Sequence, residues 1–203
     1  MKWSILKQRP LYSGFFKLTE FELQHELFAG GDSPVLRREL LDRHHAAGIL
    51  PYDPVRDEVV LVEQFRIGTA GQRADGPWLI EVIAGYREPG EAPEAVVGRE
   101  AIEEADCKIT QIEPICHYYS SPGSSNEQIH LYIGRCETTG LGGVHGLAHE
   151  GEDIRVHVVS SQTAFDWLDS GRIDNAMAII SLQWFRLNYT SVRTRWLEAT
   201  TGG

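Results

Sequence analysis

Apolar and polar positions alternate with strand spacing over the first part of the chain and take helical spacing only later. Phe21, Leu23 and Leu27 alternate with Glu22, Gln24 and Glu26, the pattern of a half-buried strand. Ala29-Gly30-Gly31-Asp32 reads as a turn, and a further extended stretch is expected over residues 35–43. Two apolar runs, Ile49-Leu50-Pro51-Tyr52 and residues 58–65, flank Asp53-Pro54-Val55-Arg56-Asp57, which predicts a hairpin. Residues 78–84 form another apolar strand, interrupted by Glu81. Helical spacing begins after Glu91. Pro93 suits the first turn, where its missing N–H would be unpaired anyway, and the helix is expected to end near Ala105. Strands resume at residues 115–119, 128–136 and 154–159, around a glycine- and histidine-rich loop at 140–151. The remainder reads as a short helix over 163–168, stopped by Ser170-Gly171, and a longer one capped by Asp174. Ile179, Ile180, Leu182 and Trp184 are among its apolar positions. Strands followed by mixed strands and helices predict an α+β domain.

The helix after Pro93 changes this picture from a fold to a chemistry. Glu100 and Glu104 are one turn apart and share a face, with Glu103 beside them. Carboxylates this close repel one another, and a cation between them removes that cost. Mg²⁺ prefers oxygen ligands and keeps several waters, which suits phosphate chemistry; Mn²⁺ or another divalent metal would serve the same donors. The plain alternative is a solvated acidic helix face. Against it stand Arg99 next to the acids and a Glu88-Pro89-Gly90 loop leading into the helix. Gly98 sits mid-helix at a cost of about 1 kcal/mol against Ala; close packing is the expected reason.

Composition narrows the partners. The 203 residues are 42% hydrophobic and 24% charged, with a formal net charge of −10. That is a globular profile, and the negative balance argues against nucleic acid. No apolar run is long enough to span a bilayer, and Met1 to Pro10 lacks the apolar core of a secretory signal. Cys107, Cys116 and Cys136 are odd in number and form no C-x-x-C pair, which fits a reducing cytoplasm and buried, small apolar roles. His145 and His149 have a spacing used for zinc, but no cysteine pair accompanies them, so zinc is not expected.

Residues 85–107 resemble the Nudix box, G-x5-E-x7-R-E-U-x-E-E-x-G-U, where U is bulky and apolar. Gly85, Glu91, Arg99, Glu100, Glu103 and Glu104 match it. Asp106 stands where the late Gly falls, and Ala101 and Cys107 are small for U. Asp106 can adopt left-handed geometry, though less readily than Gly. From about Leu11 to Trp184 the chain is similar to the bacterial ADP-ribose pyrophosphatases of that family, through residues 11–16, Arg37-Arg38-Glu39, residues 53–58, Ser121-Pro122-Gly123 and residues 146–159. Pro122, fifteen residues past the box, is the position that subfamily uses to mark ADP-ribose preference.

The resemblance implies an α/β/α sandwich (the Nudix fold) over residues 46–203. It also implies an N-terminal antiparallel β-sheet region, residues 1–45, exchanged in a homodimer and contacting substrate. It implies Mg²⁺ held by Glu100, Glu104, Glu152 and the carbonyl of Ala84, with Glu150 as general base. Arg66 would meet the diphosphate. Phe15, Phe16, Arg38, Glu39 and Arg43 would hold ADP-ribose at a shared interface, and Tyr86, Ser121, Pro122, Gly123 and Glu127 would line its pocket. Gly85, Glu91, Arg99 and Glu103 would support the box. From composition alone, Phe15 and Phe16 read as core aromatics, Arg37 and Arg38 as a surface pair, and Ser121–Gly123 as a turn. The implied activity is Mg²⁺-dependent hydrolysis of ADP-ribose to AMP and ribose 5-phosphate. Two rivals stay open: a Nudix hydrolase preferring another nucleoside diphosphate sugar, and a sensor that binds ADP-ribose without cutting it. The intact glutamates and the lack of an added basic module favour the enzyme.

Overall fold

A computed structural model describes every residue except Ala148, Glu150, Gly202 and Gly203. The chain forms two compact units, one made of residues 1–46 and 118–129 and the other of the rest. In the first unit β1 (Trp3–Ser13), β2 (Lys17–His25) and β3 (Leu36–Asp42) form an antiparallel sheet in that order. Pro10 lies on β1, an edge strand, where its missing N–H breaks no interior ladder. All eleven residues of β1 are exposed. Residues 118–129 join this unit where the Leu41 N–H donates to Ser124 O at 2.8 Å. Nothing in the sequence marks that long-range pairing.

The second unit is built on an eight-stranded sheet of order β10-β11-β5-β4-β9-β8, with β6 added to β5 and β7 to β4. Its strands are β4 (Ala46–Asp53), β5 (Glu58–Phe65), β6 (Trp78–Glu81), β7 (Ile83–Tyr86), β8 (Gln111–Tyr119), β9 (Gln128–Arg135), β10 (Gly143–His145) and β11 (Ile154–Ser160). Helix α1 (Pro93–Ala105) covers one face; α2 (Ser161–Asp169) and α3 (Ala176–Thr201) cover the other. Strand alternation divides the core accordingly. Val60 and Val62 of β5 pack with Val96, Val97 and Ala101 of α1, whereas Val59 and Leu61 pack with Phe165, Leu182 and Phe185 of α2 and α3. The result is the expected α/β/α sandwich. Among the described residues no helix is long and apolar enough to cross a membrane.

The predicted hairpin forms, with Tyr52 opposite Val59 and Asp53 opposite Glu58. Other local expectations need correction. The strand over 78–84 is two strands broken at Val82, because β6 pairs with β5 and β7 pairs with β4. The 140–151 loop contains the short β10. Asn175, not Asp174, caps α3: its Oδ1 accepts from the Ala178 N–H at 3.1 Å, while Asp174 pairs with Arg73. Cys107 and Cys136 are buried, but Cys116 is exposed on β8. An added Cβ at Gly98 would meet no atom within 4 Å, so close packing does not explain that glycine, and nothing else in the structure does.

Candidate active site

Helix α1 owes its limits to local chemistry. Pro93 opens it, and Asp106 closes it in the left-handed region at φ 49°, with its N–H on Ala101 O and Ile102 O. A short polar side chain tolerates that conformation where a branched one would not. Helical spacing places Glu104 on the stripe of Val97 and Ala101, so the sequence drives this carboxylate into the core along with its neighbours.

There Glu104 is 2% exposed. Its Oε2 accepts from the Ala84 N–H at 3.3 Å, which ties α1 to β7 at the residue expected to offer its carbonyl. Burial, followed by the charge of Glu100, pushes the Glu104 carboxyl up to about 8; the Ala84 N–H opposes the shift, Glu152 adds to it, and Arg66 opposes it least. Burial likewise raises Glu100; Arg99 opposes the shift, and Glu103 and Glu152 add to it. Each of these shifts is the mark of like charges crowded together out of water.

The remaining box residues hold Glu100 in place. Arg99 Nη1 donates to Glu100 Oε1 at 2.7 Å and to Glu103 Oε2 at 2.9 Å, and Arg99 Nε lies 3.6 Å from Glu91 Oε1. Glu91 Oε2 in turn accepts from the Glu88 N–H at 3.1 Å. A Cβ on Gly85 would lie 1.7 Å from Glu100 Oε1, so only glycine leaves that carboxylate its position. Glu152 is held by its own loop: its Oε2 accepts from the Leu147 N–H at 2.9 Å. Gly146, at φ 104°, takes a backbone turn there that a side chain would resist, and its Cβ would sit 2.7 Å from Glu152 Cβ. Among the described residues no three acid, histidine or cysteine side chains already stand in metal-ligand geometry; Glu100 is turned to Arg99 instead. Glu150 lies outside the described residues.

Arg66 follows β5 and forms an ion pair with Glu81, whose Oε2 accepts from Nε and Nη2, both at 2.7 Å. Glu81 was no expected site residue; its one signal in the sequence is an acid inside an apolar run. Tyr86, at the end of β7, is exposed.

The other expected residues lie in the first unit. Phe15 and Phe16 meet edge to face at 4.8 Å, Phe15 stands 5.3 Å from His44, and the Arg43 guanidinium lies 5.1 Å from the Phe16 ring. Arg43 also pairs with the buried Glu127 at 3.3 Å. Ser121–Gly123 form the tight turn that composition suggests, with Ser121 O accepting from Ser124 N–H at 3.0 Å and Ser125 N–H at 2.9 Å. Phe15 is 66% exposed rather than a core aromatic. Arg38 and Glu39 do not join this cluster. They lie exposed on β3, opposite Phe21 and Glu20, and Arg37 pairs with Glu22 at 3.3 Å.

An α/β/α sandwich presenting a glutamate-lined helix beside a glycine turn is the architecture of a known group of hydrolases, and comparison with known proteins agrees. Residues 42–176 match the NUDIX domain, and the chain belongs to the NUDIX family. It is 46% identical over 192 residues to an ADP-ribose pyrophosphatase of Escherichia coli (strain K12), which spans 95% of this chain and 91% of that protein. It is 30% identical over 191 residues to a GDP-mannose pyrophosphatase of Enterobacter sp. (strain 638), covering 93% and 97% respectively. A crystal structure of an ADP compounds hydrolase has the same fold, with a TM-score of 0.68 at 18% identity over 98% of this chain and 96% of that one.

Proposed function

We propose that this chain hydrolyses ADP-ribose to AMP and ribose 5-phosphate with the aid of Mg²⁺. The observation that carries the diphosphate chemistry is the placement of Glu104: a carboxylate 2% exposed, tied to the Ala84 N–H, one turn from Glu100 on α1. The choice of ADP-ribose rests on the 46% identity over 95% of the chain to a protein of that activity, against 30% for the GDP-mannose relative. That second likeness keeps another nucleoside diphosphate sugar as the competing substrate. An ADP-ribose sensor without activity finds less support, because every box glutamate is present and held.

The residues fit a divalent cation. Glu100, Glu104 and Glu152 are oxygen donors whose mutual repulsion a cation would relieve, and the Ala84 carbonyl belongs to the residue that already binds Glu104. Mg²⁺, or Mn²⁺ in its place, would neutralise diphosphate oxygens and acidify a nearby water. The Leu147 N–H fixes Glu152, while Glu100, engaged by Arg99, would turn from it to reach a cation. Glu150 takes a proton from the attacking water as its oxygen bonds to phosphorus and the bond to the bridging oxygen breaks. Arg66 offers its planar fork to the diphosphate. Phe15 and Phe16 offer ring faces to adenine, and Arg43, Glu127 and the Ser121–Gly123 turn edge that recognition site; Arg38 and Glu39 meet substrate from β3, and Tyr86 from β7.

We place the protein in the cytoplasm as a homodimer that exchanges its N-terminal region, residues 1–45, while residues 46–203 form the hydrolase domain. Three free cysteines suit a reducing compartment. An exposed β1 bearing Trp3, Ile5, Leu6, Leu11 and Tyr12 is an apolar surface of the kind that a second copy covers. The test is a panel of ADP-ribose, ADP-glucose, GDP-mannose and NADH with Mg²⁺. ADP-ribose is expected among the fastest; a clear preference for GDP-mannose would move the protein to the competing reading. Glu104→Gln should nearly abolish turnover without lowering thermal stability, because it keeps the shape and an acceptor for Ala84 and leaves no carboxylate for burial to penalise. Full activity in that variant would refute the metal assignment.

A further inference from the structure

Glu81 is an acid where the chain needs none for folding. In Leu79-Ile80-Glu81-Val82-Ile83, both Ile80 and Val82 pack in the core shared with α3. Alternation turns Glu81 to the other face, that of α1, where its ladder partner is Val62. A carboxylate buried there is costly unless paired, and burial raises its pKa despite Arg66. An apolar residue would fill the position without that cost. The pairing is specific, because one carboxylate oxygen takes both Nε and Nη2 of Arg66 at 2.7 Å. Among the described residues Arg66 Nη1 has no protein partner, and the side chain is 42% exposed. The backbone is fixed as well: the Arg66 N–H donates to Pro77 O at 2.8 Å, extending the β5–β6 ladder. Glu104 feels the Arg66 charge, so a guanidinium released from Glu81 would still have the Glu104 carboxylate within electrostatic reach.

We propose that Glu81 is a positioning residue: it holds the Nε–Nη2 edge of the Arg66 guanidinium so that Nη1 faces the substrate diphosphate, and it keeps Arg66 from pairing with Glu100, Glu104 or Glu152. The inference rests on the reading that Arg66 meets that diphosphate.

A double-mutant cycle on the full-length protein tests it, using ADP-ribose hydrolysis with Mg²⁺. Glu81→Gln keeps the shape and removes the charge. It should lower kcat/KM about tenfold, chiefly through KM, as expected for weakening a charge-assisted pair that orients a binding group. In an Arg66→Ala background the same change should cost less than about twofold, because nothing remains to be positioned. Equal losses in both backgrounds, or no loss in Glu81→Gln alone, would overturn the proposal and assign Glu81 to the scaffold. Thermal unfolding checks that each variant folds. If Glu81→Gln does not, Glu81→Asp takes its place in the cycle, since it keeps the charge but is one methylene too short to reach both nitrogens. A wild-type protein inactive on ADP-ribose but active on another nucleoside diphosphate sugar would overturn the substrate reading alone, and the same cycle on that sugar would then decide the role of Glu81.

Discussion

The two units hold their expected functional residues by opposite means. In the second, Glu100, Glu104 and Glu152 are fixed by the protein itself: by Arg99, by the Ala84 N–H and by the Leu147 N–H. In the first, Phe15 stands 66% exposed beside Phe16 and His44, and Arg38 and Glu39 lie on an open strand. Chemistry that must discriminate a transition state needs groups that do not move when charge develops. Recognition of a flat, partly apolar base tolerates ordering on contact, at some cost in affinity. The proposed division of labour therefore makes opposite kinetic predictions for the two units.

Among changes that leave every acid present, the largest effect should follow from Gly85→Ala. Its Cβ would fall 1.7 Å from Glu100 Oε1 and 2.6 Å from Glu100 Cγ. A glutamate end can swing away, so the fold should survive while the carboxylate leaves its place. A displacement of about 1 Å costs roughly 100-fold in rate, and kcat should carry that loss, with an unchanged melting temperature. Retention of wild-type kcat would mean that Glu100 need not stay where it is. Phe15→Ala makes the contrasting case. Loss of one stacking face should raise KM for ADP-ribose about tenfold, on the order of the 1–3 kcal/mol a stacked base contributes, and leave kcat nearly intact. An unaltered KM would reduce the Phe15–Phe16 pair to packing.

A third change probes the scaffold of the catalytic unit rather than its site. Asp57, at φ 58° in the hairpin turn, accepts from Tyr189 at 2.6 Å, Ser161 at 2.9 Å and Tyr52 at 3.0 Å, with Arg193 at 3.3 Å. Burial raises its pKa, but these donors and the Arg193 charge outweigh it, and the net shift is downward. A depressed carboxylate pKa adds stability that is fully present above the ordinary value near 3.8 and is lost as pH falls through the lower folded value. Asp57→Asn, which tolerates the left-handed backbone, should therefore cost about 1–2 kcal/mol at pH 7. The gap to wild type should close in melts taken below pH 3.8, while kcat at neutral pH stays unchanged. A gap that persists in acid would mean that shape, not charge, is what Asp57 supplies.

What the sequence made legible follows from which interactions are local. Helix α1 could be read to both its ends, because Pro93, the apolar spacing and Asp106 act within a few residues of one another. The box acids were likewise visible through spacing. Long-range choices were not. No local pattern shows that Leu41 bonds to Ser124, or that the strand entering Val82 leaves one neighbour for another. Asp174 and Asn175 are both competent caps, and the decision between them lies with Arg73, a hundred residues away, which engages Asp174. Glu81 was visible only as an anomaly, since its partner Arg66 lies just past the end of β5, too far along the chain for a local pattern to pair them.

The smallest expected effect concerns Gly98, within the same helix that carries Glu100 and Glu104, the proposed metal-binding acids. A Cβ there meets nothing within 4 Å, so the residue is not needed for space, unlike Gly85 on the neighbouring strand. Alanine should remove the backbone freedom that glycine retains in the unfolded chain and stabilise the fold by about 0.5–1 kcal/mol. For a chain of this size that is a rise of roughly 1–4 °C in melting temperature. Because the acids are held by Arg99 and Ala84 rather than by any compliance at Gly98, kcat should not change. A stabilised helix with lower kcat would show that α1 must flex during turnover, and the contrast between acids held by the protein and exposed residues proposed for recognition would then fail on its first side.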